Sequence, residues 1–351
     1  MKPRFALILL VGVASLLGAG ADGARAQIHL AVPYSVRSYG MGLSGVADDY
    51  DPHNAYYNPA VLGAVHGLAF CGSLHPDLVH PGDDSHGWNG MFVFGKQRKT
   101  GESSVFGFGV GLIYSGWDLE NVWYVPEASE HSIGLDAGFR YVISGNSSIG
   151  FGFGMKSWIF DTGSRYYGWY RSSDEKSVFF DAGLLISHKK VSESGKVYST
   201  SVGLSGVNWE WNTDSDSYIS YNLAEGRIGM GLRVDRPGHS SADGQVTNGP
   251  SQWRLSANLD LIVRENRKPV VHTGAEFSIR EIGFLRTGFQ KVLGADNAHN
   301  FTLGMGVGYD WGRVKFRIDY ARVPAWQRGR YDYPLDFFGL YLGYAFDPVS
   351  L

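Results

Sequence analysis

The chain has 351 residues, of which 44% are hydrophobic, 14% aromatic and 19% charged, and its formal net charge is −3. This composition excludes a disordered chain, and 31 basic against 34 acidic residues leave no positive excess to attract a nucleic-acid partner. A single cysteine excludes a disulfide scaffold and any cysteine–histidine zinc motif, so the sequence predicts no metal site and no cofactor.

Residues 1–26 have the layout of a secretory signal peptide. Lys2 and Arg4 precede an apolar run over 5–17, and the small residues that follow end in an Ala-x-Ala cleavage site. The apolar run is too short for a helix that spans a membrane. We therefore expect cleavage after Ala26 and export of the mature chain.

Residues 27–66 form a separate segment that does not alternate cleanly between apolar and polar side chains. It contains a glycine-rich stretch, a pair of carboxylates and an Asn-Pro-Ala turn. The residues that distinguish the segment are Gly40, Gly42, Asp48, Asp49, Asn58, Pro59 and Ala60. The glycines do not form a phosphate-binding loop, because no strand precedes them and no Lys-Ser/Thr pair follows.

From about residue 67 the chain alternates apolar with small or polar residues. Successive side chains of a strand face opposite ways, so each alternating run has one apolar face. The fourteen runs that we predict as strands are 67–74, 88–97, 103–117, 130–143, 147–161, 177–190, 196–210, 225–236, 251–264, 269–281, 283–293, 299–310, 313–325 and 335–347. They predict one domain over 67–347, followed by a short tail over 348–351.

Strand length favours a transmembrane barrel over a soluble sandwich, which shows the same alternation with its apolar face turned inwards. Soluble strands cluster near about 5–6 residues, whereas a tilted spanning strand needs about 9–11, and most of these runs are that long. Their number is even, and long connections mostly follow odd-numbered runs while short ones follow even-numbered runs, as in outer-membrane barrels. Segment 237–250 is the exception. The sequence thus predicts an all-β, fourteen-stranded antiparallel transmembrane β-barrel in a bacterial outer membrane.

Charged and polar residues occupy the strand face opposite the apolar stripes. An Arg or Lys in lipid at the bilayer midplane would cost about 2–4 kcal/mol, so this face is expected to line the lumen. The predicted polar network of the lumen consists of Asp136, Arg140, Asp181, Arg254, Asp260, Glu276, Arg286, Arg317 and Asp319. Its mixed signs favour a cross-linked, plugged interior over an ion-selective pore, and the many glycines on this face allow another backbone to approach closely.

The motifs after the signal peptide resemble the PorV/PorQ family, within the wider group of FadL-type outer-membrane barrels. The pattern Gly-Met-Gly, then Asp48-Asp49, then Tyr-Tyr-Asn58-Pro59-Ala60 carries the resemblance, and weaker strand motifs continue it along most of the mature chain. The resemblance implies fourteen strands and an N-terminal lumenal hatch over 27–66. It assigns structural or gating roles to the seven segment residues named above.

Two functions follow from the resemblance. PorV-like members imply a secretion-associated protein of a type IX-like system, which binds or shuttles exported cargo proteins at a plugged, laterally opening barrel. FadL-type relatives imply instead passive transport of long-chain fatty acids or other hydrophobic small molecules. Both place the barrel in contact with outer-membrane lipid, and both need a sideways gap, for which the run 103–117 with Gly107 and Gly109 is the candidate.

A soluble or surface β-structure without a transport role is the alternative to a membrane barrel. An enzyme is not expected, because no Gly-x-Ser-x-Gly or His-Glu-x-x-His motif is present. His75, His80 and His86 with Asp83 and Asp84 are assigned to one external loop, where a solvated polar surface is expected rather than a metal site.

Overall fold

The structure is a computed structural model. It describes residues 35–76, 86–100, 104–119, 128–144, 146–161, 175–211, 224–242, 245–264, 267–294, 299–323 and 335–346. The predicted signal peptide with its cleavage site at Ala26, the tail 348–351 and most of the long connections lie outside the described residues. So do His80, Asp83 and Asp84.

One short α-helix and two 3-10 helices precede the strands: α1 (Val36–Gly40), η1 (Pro52–Tyr56) and η2 (Pro59–Ala64). The strands are β1 (Gly67–Pro76), β2 (His86–Lys99), β3 (Val105–Leu119), β4 (Ala128–Ser144), β5 (Ser147–Asp161), β6 (Glu175–Val191), β7 (Val197–Trp211), β8 (Glu225–Ala242), β9 (Gln245–Arg264), β10 (Val270–Ile279), β11 (Gly283–Val292), β12 (His299–Trp311), β13 (Val314–Val323) and β14 (Leu335–Ala345). Among the described residues, no helix has the length and apolar character that crossing a bilayer requires.

The fourteen strands close into one antiparallel barrel, which confirms the predicted fold class. Each strand pairs with its neighbours in the sequence, and β1 pairs with β14 from Gly67↔Ala345 to Leu74↔Phe338. Short turns join even-numbered strands to the strands that follow, and we call this side of the barrel the turn end. The opposite side, where odd-numbered strands finish, is the loop end.

Strands β8 and β9 extend further than the sequence predicted. Residues 237–250 were expected to form a long connection, but a register shift after Arg236 is followed by renewed pairing from Gly238↔Gly249 to Ala242↔Gln245. The segment that broke the expected pattern of long and short connections is therefore a β-ribbon that projects from the turn end. Polar and glycine-rich residues hid this ribbon from pattern analysis, because they lack an apolar face.

The apolar stripes point away from the barrel. In β12, Phe301, Leu303, Met305 and Val307 are exposed while Thr302 between them is buried, and the other strands repeat this alternation. The described strands form a single closed sheet, so no second sheet covers these side chains. The soluble sandwich is thereby excluded, and the apolar belt faces hydrocarbon.

A charged side chain introduced into the belt should lower the free energy of unfolding by an amount that depends on its depth in the bilayer. Met305 is the central residue of β12 and is 55% exposed, and Met305→Arg is expected to lower the free energy of unfolding by about 2–4 kcal/mol. Trp311 is an outward-facing residue that ends the same strand beside a turn, so Trp311→Arg serves as the control, with an expected loss of about 0–1 kcal/mol. Urea unfolding in lipid vesicles measures both values, and equal losses would contradict the position of the belt.

Residues 35–66, which we call the inner segment, pack against the inward face of the barrel. Local chemistry shapes them: the side chains of Asp51 and Asn58 cap η1 and η2, and each helix has proline at its first position. The apolar core joins side chains of the inner segment to inward-facing residues of the early strands: Val46, Ala47, Ala55, Tyr56, Tyr57, Ala60, Val61, Leu62, Ala69, Met91, Val93, Ile113 and Leu185.

Glycines of the wall allow the inner segment to come within backbone contact. A Cβ atom at Gly152 would lie 2.2 Å from the backbone nitrogen of Ala60, and one at Gly288 would lie 2.0 Å from the backbone nitrogen of Gly42. At Gly152 and Gly288 no larger residue fits, and glycine is what lets the inner segment approach the wall so closely.

Candidate functional site

A buried ionic cluster joins the inner segment to the late strands. Arg37 donates to Glu276 Oε2 at 2.8 Å and to Asp48 Oδ2 at 2.6 Å, and Arg286 donates to the same Glu276 oxygen at 2.7 Å. Arg37 and Glu276 are each only 1% exposed. Burial at this level demands that every charge have a partner, so the cluster fixes α1 against β10 and β11.

The cluster continues along the wall to η1. Arg286 donates to Asp319 Oδ1 at 2.7 Å, Arg317 donates to Asp319 Oδ2 at 2.6 Å, and Arg317 also reaches Asp51 Oδ2 at 3.0 Å. Four residues of the predicted polar network, Glu276, Arg286, Arg317 and Asp319, thus lie together. Sequence reasoning missed Arg37 and Asp51, because nothing in a non-alternating segment marks a charged residue as buried.

Asp260 and Asn58 bind the inner segment through its backbone. Asp260 Oδ2 accepts hydrogen bonds from the backbone N–H groups of Gly45 at 2.7 Å and Val46 at 3.1 Å. The amide of Asn58 donates to the carbonyl of Val46 at 2.9 Å and to that of Leu184 in β6 at 3.0 Å. Asn58 therefore ties the Asn-Pro-Ala turn both to its own segment and to the wall.

The other residues of the turn and the glycine motif make close backbone contacts. Pro59 and Ala60 lie against Gly152, as described above, and Gly40 lies beside Gly304 of β12. Gly42 has φ +66°, donates its N–H to Thr302 Oγ1 at 3.0 Å, and would place a Cβ atom 2.6 Å from a wall carbonyl. A larger residue at Gly42 would meet both steric and backbone strain.

A second buried group lies on β4–β7. Lys156 Nζ is 2.5 Å from Asp181 Oδ2, and Asp181 Oδ1 accepts from the backbone N–H of Asn208 at 2.7 Å. Asp136 lies beside this pair, and its two carboxylate oxygens have no hydrogen-bond partner. Among the described residues, no group of three His, Cys, Asp or Glu side chains is placed to hold a metal ion.

Basic residues and Asp49 meet at the turn end. Asp49 lies 3.2 Å from Arg140 and 3.5 Å from Arg233, measured between carboxylate oxygen and guanidinium nitrogen. Arg254 stacks over the neighbouring ring of Tyr50, with its guanidinium carbon 4.0 Å from the ring centre. Two cavities flank Asp49 and Tyr50, with volumes of about 220 and 280 Å³.

The predicted network is therefore divided rather than continuous. Arg140 and Arg254 belong to the turn end, Asp136 and Asp181 to the β4–β7 group, and Asp260 to the backbone of the inner segment. Sequence alternation identified all nine residues as inward-facing, but it could not tell which of them meet.

Large apolar side chains are concentrated at the loop end of the interior. Its inward-facing, fully buried side chains include Trp117, Trp158, Phe179, Val207, Val323 and Phe337. Tyr39 of α1 stacks on Phe337 with ring centres 3.9 Å apart. Charged side chains are also present there: Glu225 binds Arg227 and Arg264, and Glu130 of β4 is buried at the same end.

His75 lies inside the barrel and not in an external loop, which corrects the prediction. It belongs to β1 and is buried beside Trp117, because alternation along β1 turns it inwards. Ser73 Oγ lies 2.7 Å and Asn89 Nδ2 lies 3.0 Å from the same atom, His75 Nε2, while Nδ1 has no partner. A hydrolase triad needs the third residue on the opposite nitrogen, so this group lacks that arrangement.

The lateral gap is not found at Gly107 and Gly109. Strand β3 is paired with both neighbours along its length, and these glycines face Gly63 and Leu62 of the inner segment. The wall is irregular instead between β6 and β7. There Phe180 pairs with Trp209 and Ala182 with Gly206, so that two residues, 207 and 208, stand opposite Asp181.

Two acids of the inner segment, Asp49 and Asp51, are held ionised. Burial opposes the charge of Asp51, but His53 and Arg317 outweigh burial and hold its pKa well below the usual range. Burial likewise opposes the charge of Asp49, and Arg233 and Arg140 lower its pKa below the ordinary value. Both carboxylates therefore stabilise the docked inner segment in their charged form.

These shifts predict a loss of stability in acid. A lowered folded-state pKa stabilises the fold at every pH above the unfolded value of about 3.9, and this contribution disappears as the pH falls through the folded value. We expect the contribution of these two carboxylates to the free energy of unfolding to be constant from pH 7 to 5 and to decline below about pH 4. Denaturant titrations at each pH measure it, and Asp51→Asn should give the shallower decline; a steeper one would contradict the assignment.

Comparison with solved structures supports the fold. A deletion variant of the TodX monoaromatic hydrocarbon channel matches with a TM-score of 0.52 and 12% identity, over 89% of this chain and 99% of that chain. A FadL homologue of Pseudomonas aeruginosa gives 0.48 and 11%, over 90% and 99% of the two chains. The toluene transporter TbuX of Ralstonia pickettii gives 0.47 and 13%, over 89% and 97%. At these identities the similarity extends to the fold alone.

No protein-family model and no curated protein sequence matches the chain. The resemblance to PorV/PorQ therefore stays a prediction from sequence motifs, and the secretion function that it implied has no support in the described residues. The closed barrel with its apolar belt is of the outer-membrane type.

Proposed function

We propose that this barrel passes small hydrophobic molecules across the outer membrane, the function implied by its FadL-type resemblance. The observation that carries the proposal is the contrast between the two ends of the interior. The loop end holds buried aromatic side chains such as Trp117, Phe179 and Phe337, whereas the turn end holds a higher density of charges. An apolar solute can enter such a mouth without losing favourable contacts, but a hydrated ion cannot.

The fold of the structural neighbours agrees with this reading. The matched proteins include a monoaromatic hydrocarbon channel and a toluene transporter, and the chain shares their architecture at 12–13% identity. Because similarity of fold does not transfer function, the proposal depends on the lining of the interior and not on the neighbours.

The inner segment acts in this proposal as the hatch. Residues 36–48 and 51–63 are buried against the wall, so a solute cannot pass straight through while the segment is docked. A sideways route into the bilayer would avoid displacing the ionic cluster. The pairing of β6 and β7 is irregular where Asn208 adopts φ +59°, and these two strands would separate there first.

Uptake of radiolabelled toluene and oleate tests the function. The host strain should lack its own channel for hydrophobic solutes and should insert the barrel at a measured level. We expect uptake above that of cells carrying an empty vector. Equal uptake with the barrel correctly inserted would overturn the proposed function.

A cross-link tests the sideways route separately. In a Cys71→Ser background, cysteines at the directly paired positions Ala182 and Gly206 would tie β6 to β7 beside the irregularity. Cysteines at Ile186 and Val202, another direct pair of the same strands, are the matched control. We expect oxidation to block uptake in the first variant only, with recovery on reduction; unchanged uptake in both would exclude this route but leave the function standing.

A further inference from the structure

The larger turn-end cavity is lined mainly by positive and neutral polar groups. It has a volume of about 280 Å³ and lies between Asp49–Ala64 of the inner segment and the strands around it. Its lining includes Arg140, Lys189 and Arg233, together with three serines. We call it the basic cavity. Its volume is several times the roughly 30 Å³ that one water molecule occupies, so a small polyatomic ion and its hydration water fit inside.

The cations of the basic cavity exceed the acids that face them. Asp49 is the acid among its lining residues, and its contacts with Arg140 and Arg233, at 3.2 and 3.5 Å, are longer than the about 2.7–2.9 Å of a strong charge-assisted hydrogen bond. Arg233 shares its charge with Asp235 at 3.1 Å. The ammonium of Lys189 makes no hydrogen bond or ion pair with any residue that the structure describes.

The guanidinium of Arg140 is already fixed in place. Its Nε donates to Ser148 Oγ at 2.9 Å and one terminal nitrogen donates to Ser187 Oγ at 3.0 Å. Its other terminal nitrogen points towards Asp49. An anion that displaces Asp49 could therefore bind Lys189 and this terminal nitrogen of Arg140 without reorganising the wall.

We propose that the basic cavity binds an anionic group, a carboxylate or a phosphate, which competes with Asp49 for Arg140, Arg233 and Lys189. The bound anion would release the carboxylate of Asp49, and with it one of the contacts that hold the inner segment at the turn end. This goes beyond passage of neutral solutes, because toluene offers nothing to these cations.

Equilibrium binding to the purified full-length barrel in a neutral detergent tests the inference. The probes are radiolabelled inorganic phosphate, for a free anion, and radiolabelled octanoate, for the head group of an amphiphile. We expect saturable binding of at least one probe that is weakened by high salt. Lys189→Gln should weaken it about tenfold, which corresponds to one lost charge-assisted hydrogen bond.

Two further variants make the result decisive. Lys190→Gln removes the same charge from the exposed, outward-facing neighbour and should leave binding unchanged. Asp49→Asn removes the competitor and should strengthen binding, and Lys189→Arg should restore it if Lys189→Gln inserts poorly. Binding by octanoate alone identifies an amphiphile head group, and binding by phosphate identifies a free-anion site. Absence of saturable binding, or equal losses in Lys189→Gln and Lys190→Gln, would overturn the inference whatever the uptake assays show.

Discussion

Glu276→Gln is expected to lower the free energy of unfolding by about 3 kcal/mol, because it removes one charge from a buried ion network and leaves its partners uncompensated. Glu276 accepts hydrogen bonds from both Arg37 and Arg286, and all three side chains are almost fully buried. The glutamine keeps the size of the side chain, so the loss reports on charge and not on a cavity.

Urea unfolding of the barrel in lipid vesicles measures this effect. Glu193→Gln is the matched control, since Glu193 is exposed in the turn between β6 and β7 and should change stability by less than about 0.5 kcal/mol. If both variants unfolded like the wild-type protein, the ionic cluster would not be what holds α1 against the wall.

Gly152→Ala is expected to release the inner segment from the early strands. The added Cβ atom would lie 2.2 Å from backbone atoms of both Pro59 and Ala60, which cannot rotate away as a flexible side chain can. Relieving the clash should cost about 1–3 kcal/mol and raise the undocked population of the segment roughly tenfold or more. Faster proteolysis within residues 35–66, and new ion conductance in planar bilayers, would follow.

Gly90→Ala provides the comparison for this experiment. A Cβ atom at Gly90 would lie 3.6 Å from the nearest atom, the carbonyl oxygen of Cys71, which is an ordinary contact. Protease protection in Gly90→Ala should equal that of the wild-type protein. Full protection in Gly152→Ala as well would show that the wall glycines are not required for docking.

The barrel could be predicted because it depends on a pattern of neighbouring residues within each strand. Alternation with period two fixes which side chains face outwards, and the cost of charge in lipid decides which face that must be. The apolar residues Phe301, Leu303 and Met305 therefore predicted the outward belt from the sequence alone. The charged residues Glu276 and Arg286 predicted the face that lines the lumen.

What escaped prediction depends on contacts between distant residues. Arg37 and Glu276 are 239 positions apart, and Asp260 binds the backbone at Gly45 across 215 positions. No local pattern encodes such pairs. The inward position of His75 was missed for a different reason: it follows directly on a short apolar run, and its polarity suggested a loop although alternation along β1 continues through it.

The route of the chain into β1 constrains how the protein can be assembled. The inner segment leads without a break through His66 into Gly67, where β1 begins, and β1 pairs with β14, the strand that is synthesised last. The wall therefore cannot seal until β14 pairs with β1, and the segment that is continuous with β1 already lies beside the wall at that moment. Threading its charged side chains through a finished wall would mean carrying them across hydrocarbon. Folding should accordingly be slow, because β1 must wait for a strand that is distant in the sequence, and the inner segment would be the template around which the sheet closes.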